Sequence, residues 1–236
     1  DSYGNLATTD KVKEVLVPDV IDADDYKKWW ETARREMKKG GSFKIPTRKT
    51  EAIEYQSKDV SFQERMLNDF NAARGLKARL SVAAELSKSA VELTDKAAAA
   101  KITLGKLDEE IQAHIQNQPA LAMQAVMVRD DLANALEAEI GETAPRETAV
   151  WATEAKASAI VPLLPVAFQR RALESYRDSE ENWAKVLTGM LTQVPARLVG
   201  ECIDLLSEGG FNEECRSELS SLINHHAAPG ELLLWL

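Results

Sequence analysis

YKKWWETARREMKKGGSFKIPTRK, running from Tyr26 to Lys49, decides how the rest of this chain is read. It holds nine basic residues: Lys27, Lys28, Arg34, Arg35, Lys38, Lys39, Lys44, Arg48 and Lys49. Only Glu31 and Glu36 oppose them, so the window carries +7 in a chain of formal charge −9, and the remainder carries −16. A reversal of sign on that scale needs a cause. The candidates are nucleic-acid phosphate, an acidic protein surface, or an acidic face of the same molecule.

The spacing predicts a helix over the first part of the window. Tyr26, Trp29, Trp30, Ala33 and Met37 recur at helical intervals and form one buried stripe. The basic residues flank that stripe and gather toward the C-terminal end, where the helix dipole favours positive charge. Asp22, Asp24 and Asp25 stand at the other end, where it favours negative charge, and Gly40-Gly41 closes the helix. Adjacent residues on a helix point about 100° apart. One tryptophan is therefore expected in the core and the other at its edge, and Trp30 joins the basic residues as a candidate partner contact.

Outward from this helix, Phe43 and Ile45, then Ile53 and Tyr55, alternate with polar neighbours around PTRKTE and predict a β-hairpin. Upstream, Asp10 is expected to cap a short helix over KVKEVLV that Pro18 stops. Residues 1–9 are polar and expected to be disordered. Two helices followed by a hairpin make an arrangement similar to a winged helix.

From Ser61 the composition becomes helical almost throughout. Ser61 and Glu64 have the capping-box pattern. Helical segments are expected at about 61–73, 76–100, 104–117, 120–139, 146–157, 160–177, 180–192, 196–208, 212–225 and 229–236, separated by Gly, Pro, Asn or Ser-Glu breaks. The stretches 183–206 and 215–236 each read as an amphipathic helix, a proline break and an apolar helix, a pattern similar to helical repeats. The fold class is mainly α: a small basic helical head with a β-hairpin, then an α-helical array of HEAT-like helix pairs. The expected divisions are 1–58, 59–145 and 146–236. The absence of an initial methionine and the terminal LLLWL lead us to expect a chain truncated at both ends.

No nucleotide-binding, zinc-protease or nucleophile-elbow motif occurs. Neither a catalytic residue, a metal ligand set nor a cofactor is assigned. His225 and His226 are adjacent and cannot easily share a metal, and His114 reads as a satisfied residue on an apolar face. Carboxylate runs such as Asp108-Glu109-Glu110 and Asp130-Asp131 read as solvated faces. Cys202 and Cys215 read as reduced core thiols of a cytoplasmic protein. No apolar run reaches the ~18 residues of a membrane span.

Residues 18–55, PDVIDADDYKKWWETARREMKKGGSFKIPTRKTEAIEY, resemble a segment that precedes the Gre-type module in long bacterial transcription elongation factors. The acidic helix start, the Trp-Trp pair, the basic helix end and the F-x-[IV]-P turn carry the resemblance. The acidic coiled-coil tip and FKBP-like domain of those factors are absent, so no cleavage activity carries over. The resemblance implies a non-enzymatic module that docks on RNA polymerase or another transcription-complex protein, on DNA or RNA, or on both. The alternative is a protein-docking helical-repeat scaffold without nucleic-acid contact, and a helical enzyme is a third class.

Overall fold

A computed structural model describes residues 6–40, 42–46, 51–55 and 61–224, and the side chains of Leu6, Lys38, Lys39, Ala196, Leu222 and Asn224 are not among those described. The chain is mainly helical with one small sheet near its N-terminus, as the sequence predicts.

The head opens with β1 (Leu6–Thr8), followed by α1 (Thr9–Leu16) and α2 (Tyr26–Gly40). It closes with β2 (Phe43–Lys44) and β3 (Ala52–Tyr55). The predicted hairpin forms: β2 pairs antiparallel with β3, placing Phe43 opposite Tyr55 and Lys44 opposite Glu54. The rings of Phe43 and Tyr55 meet edge to face at 5.3 Å, the geometry aromatic quadrupoles favour.

Two local expectations are corrected. Residues 6–8, expected to be disordered, form β1 on the other edge of β3, with Ala7 opposite Ile53. The backbone groups of β3 thus find partners on both sides. The N-cap of α1 is Thr8, not Asp10: the Lys11 amide donates to Thr8 Oγ1 at 3.3 Å, and Asp10 falls in the first turn. The strand order is β1-β3-β2, with two helices between β1 and β2, an arrangement similar to a winged helix.

The array runs from α3 (Phe62–Ala72) through α4 (Leu76–Lys88), α5 (Lys96–His114) and α6 (Pro119–Ala135). Two short helices follow, α7 (Glu147–Trp151) and α8 (Ala157–Ile160), then α9 (Val166–Ser179). α10 (Trp183–Met190), α11 (Ala196–Glu208) and α12 (Asn212–Asn224) complete the described part. Ser61 caps α3 as predicted, its Oγ accepting from the Glu64 amide at 3.1 Å. The central helix is α6. It lies against α4, α5, α7, α8 and α9, and its Met123, Ala125, Val126, Met127 and Leu132 are fully buried. Small residues on α6 permit that many neighbours, because a helix flanked on several sides must present little bulk at each contact.

Two stretches are divided into helices differently from expectation. The segments 76–100 and 104–117 are broken at 89–95 instead of 101–103, so α5 is continuous through Lys101, Ile102 and Thr103. Asp95 starts it, accepting from the Ala98 amide at 2.9 Å, and the alanines that follow are the strongest helix formers available. The segments 146–157 and 160–177 become α7, α8, a 3-10 turn at Val161–Leu163 and α9. Pro162 and Pro165 sit where a proline is tolerated, at the first turn or cap of a helix, and so divide what periodicity alone would join. The segment 229–236 lies outside the described residues.

Between α11 and α12, the chain turns through Gly209 and Gly210, the latter at φ +85°. A Cβ at Gly209 would lie 2.7 Å from Trp183 Cη2, so the ring of Trp183, which also meets Phe211 edge to face, demands glycine there. Among the described residues no helix is long and apolar enough to cross a membrane.

Candidate functional site

The candidate site is α2. Its register is set by Tyr26, which is 7% exposed and donates its hydroxyl to the Thr9 carbonyl at 3.5 Å, tying the helix to the start of α1. Lys13 Nζ lies 5.7 Å from the Tyr26 ring centroid. Burial, and secondarily the charge of Asp10, push the Tyr26 hydroxyl above its ordinary pKa. Tyr26 stacks against Trp30 at 6.3 Å and tilts against Trp29 at 5.8 Å, so the three rings form one aromatic step along the first turn.

The predicted stripe is narrower than expected. Tyr26 is buried, and Trp30, Ala33 and Met37 are half-buried, but Trp29 is 38% exposed. Of the two tryptophans, Trp29 is therefore the more open, and Trp30, the expected partner contact, is the more covered. Periodicity places both near the core; only the shape of the head separates them.

Around the stripe, Lys27, Lys28 and Arg35 are exposed and Arg34 is half-buried. Among the described residues no carboxylate comes within ion-pairing reach of Lys27, Lys28 or Arg34. Arg35 approaches only its neighbour Glu36, at 3.9 Å. Lys44 faces Glu54 across the hairpin at 3.6 Å, an exposed cross-strand pair that occupies its charge within the head. Lys38 and Lys39 belong to the last turn of α2 by backbone, while Arg48 and Lys49 lie outside the described residues.

No described ion pair joins a basic residue of the head to a carboxylate of the array. Every substantial packing among the described elements stays within the head or within the array. Among the described residues, the acidic remainder therefore does not account for the positive charge of α2 through direct pairs.

In the array two buried arginines gather polar partners around them. Arg129 is fully buried and donates to Asp108 Oδ1 at 2.6 Å, to Asp130 Oδ1 at 2.6 and 2.8 Å, and to the Pro145 carbonyl at 2.7 Å. Burial pushes the Asp130 carboxyl above its ordinary pKa even though Arg129 pulls against it. Arg79 bonds the Phe70 and Ala73 carbonyls and pairs with Glu110. The carboxylate runs expected to be solvated faces are thus corrected in part: Asp108, Glu110 and Asp130 hold buried arginines. Sequence reasoning missed these arginines because Asp108 and Glu110, which reach them from another helix, are remote in the chain.

Cys202 and Cys215 are buried free thiols, as expected, and burial pushes the Cys202 thiol up to about 12. His114 is half-buried with Nδ1 2.7 Å from the Glu110 carbonyl oxygen. Among the described residues no group of three His, Cys, Asp or Glu is placed to hold a metal ion, and His225 and His226 lie outside them.

Comparison with known proteins places this geometry. Residues 1–60 match the family described as the GRAD helix-turn-helix domain. The match covers the whole head and none of the array, and it is consistent with the Gre-related N-terminal region that residues 18–55 resemble. A helix-turn-helix domain points to interaction with nucleic acid or protein. No curated protein and no solved structure matches the chain.

Proposed function

We propose that this chain is a non-catalytic interaction module of the transcription elongation machinery. Its head binds nucleic acid through the basic side chains of α2, beside RNA polymerase or another transcription-complex protein. The observation that carries the reading is the uncompensated charge of α2. Lys27, Lys28 and Arg34 lie on the second helix of a helix-turn-helix with no described carboxylate within reach. A cation left unpaired in the folded chain is free to replace the counterions of a phosphate backbone, and release of those counterions supplies the affinity. In the array, by contrast, the buried arginines Arg129 and Arg79 are bonded to carboxylates and carbonyls of their own neighbourhood.

The test is titration of a labelled duplex and a labelled single strand at two salt concentrations. If four basic residues each meet a phosphate, raising salt from about 50 to about 200 mM weakens binding by about two orders of magnitude. Replacing Arg34, Arg35, Lys38 and Lys39 with glutamate abolishes the salt-sensitive part. Binding that ignores both changes sinks the reading.

A second reading, docking of protein on the array, is favoured by one observation. Leu163 is 75% exposed, and Val166 beyond Pro165 is also open, giving an apolar corner at the start of α9. Capture of a transcription-complex protein by the full chain, lost in Leu163→Asp with Val166→Asp and kept in the α2 variant, would identify it.

A further inference from the structure

We infer that the head grips the nucleic-acid backbone without reading sequence, because the N-terminal end of α2 is built to stay out of the major groove. This inference rests on the nucleic-acid reading above and specifies its mode. In helix-turn-helix proteins, the residues at the N-terminal end of the second helix meet the base edges. That end owes part of its attraction for phosphate to the positive pole of the helix dipole.

Here that pole is opposed by charge. Residues 19–31 hold five carboxylates, Asp19, Asp22, Asp24, Asp25 and Glu31, against Lys27 and Lys28, a net −3. All five are exposed. The Asp22 carbonyl accepts from the amides of Asp25 and Tyr26, and the Asp25 carbonyl from Trp29, so Asp22 and Asp25 are held in the turn that leads into α2. Asp10 adds a further negative charge close enough to raise the Tyr26 pKa. Residues 32–44 reverse the sign: Arg34, Arg35, Lys38, Lys39 and Lys44 against Glu36 give +4. The helix is bipolar, with its negative end where a base-reading helix enters the groove.

Apart from lysine and arginine, which can read guanine, the exposed face is poor in base-reading chemistry. Residues 26–40 contain no Asn or Gln, the pair that reads adenine. The Thr32 hydroxyl is committed to the Lys28 carbonyl at 3.2 Å, and Arg35 lies beside Glu36. The cations described on this helix are Lys27 and Lys28, set among the five carboxylates, and Arg34 and Arg35 further along, placed to meet phosphate.

The experiment uses the full chain and duplexes of about 30 base pairs at low salt, where electrostatic binding is strongest. Three unrelated sequences are expected to bind within about threefold of one another, and rounds of selection from a random pool to yield no consensus. Asp22→Asn, Asp24→Asn and Asp25→Asn combined is expected to tighten binding to all three alike, by roughly three- to tenfold. A selected duplex bound a hundredfold more tightly than the rest overturns the inference while leaving the proposed function standing. An unchanged affinity in the triple variant also overturns it. No duplex binding at low salt, for wild type and variant alike, overturns this inference, and single-strand binding decides whether the proposed function falls with it.

Discussion

Head and array use the same residue types for opposite ends. In the array, Arg129 has no exposed surface and its guanidinium is bonded to two carboxylates and a carbonyl. Trp151 is buried, with its indole N–H donated to Ser175 Oγ at 3.1 Å and its ring edge to face with Tyr176. In the head, Arg35 is exposed with Glu36 its one ion-pair partner among the described residues, and Trp29 is 38% exposed. The array fills a continuous core from Met66 to Cys215, whereas the described head buries Tyr26 and Ile53. The difference teaches that a cluster of basic residues marks a surface for partners only where the fold leaves it unpaired. Arg170 shows the converse, since it is surrounded by Glu174, Glu201 and Glu208 and serves to tie α9 to α11.

The sharpest way to break this contrast is to remove Arg129. Arg129→Ala leaves Asp108 and Asp130 partly buried without their cation, and such a loss costs about 3–5 kcal/mol. Trp151→Ala carries a similar cost, about 3–5 kcal/mol, from the emptied volume and the orphaned Ser175. Denaturant unfolding measures both, and amide exchange locates them. Exchange should accelerate in α5 and α6 while the β3 amides keep their protection. If β3 loses protection in step with α6, head and array unfold as one unit and the contrast of two regions fails. A cost below about 1 kcal/mol for Arg129→Ala would show that its buried bonds only balance their desolvation.

A smaller effect follows from the Cys202 thiol, held up to about 12 by burial with lesser contributions from Glu201 and Cys215. In the unfolded chain the same thiol loses its proton near 9.0, so between about pH 9 and about pH 12 the native state holds the proton and the unfolded state does not. The unfolded state then binds fewer protons, and stability falls as pH rises through that window. At about pH 10.5 the loss is about 2 kcal/mol relative to pH 8. Comparing urea midpoints of wild type and Cys202→Ala at the two pH values isolates this thiol from other groups. Parallel losses in both proteins would mean that Cys202 titrates like a solvated thiol.

These contrasts also mark what could be read from the sequence. The α2 stripe and the hairpin were legible because their signals are local: Tyr26 to Met37 share a helical period, and Ile53 and Tyr55 share a strand face. β1 was not, because three residues, Leu6 to Thr8, show no period, and they become a strand only by pairing with β3 more than forty positions away. The break before α5 was misplaced because Asp95 outranks the composition of the alanine run around it. Asp130-Asp131 looked like a solvated pair because Asp108, the other anchor of Arg129, belongs to another helix. In each miss a non-local partner or a single cap overrode the period. The charge of the α2 window was plain from the start; which side chains the fold leaves unpaired was not.

The smallest expected effect tests the head alone. Trp29 touches Tyr26 at 5.8 Å and Trp30 at 6.2 Å but leaves 38% of its surface in water. Truncating it removes part of an aromatic step, not a core, so Trp29→Ala should cost less than about 1 kcal/mol against the several kcal/mol of Trp151→Ala. Its neighbours Tyr26 and Trp30 still stack on each other, so α2 keeps its seat on the start of α1 through the Tyr26 hydroxyl. Thermal unfolding of the two variants side by side, with exchange at the β3 amides, reads the comparison directly. A Trp29→Ala penalty as large as that of Trp151→Ala would make Trp29 a structural anchor. A small penalty leaves an open aromatic ring beside unpaired lysines, a surface that costs the fold little and whose shape is therefore answerable to a partner.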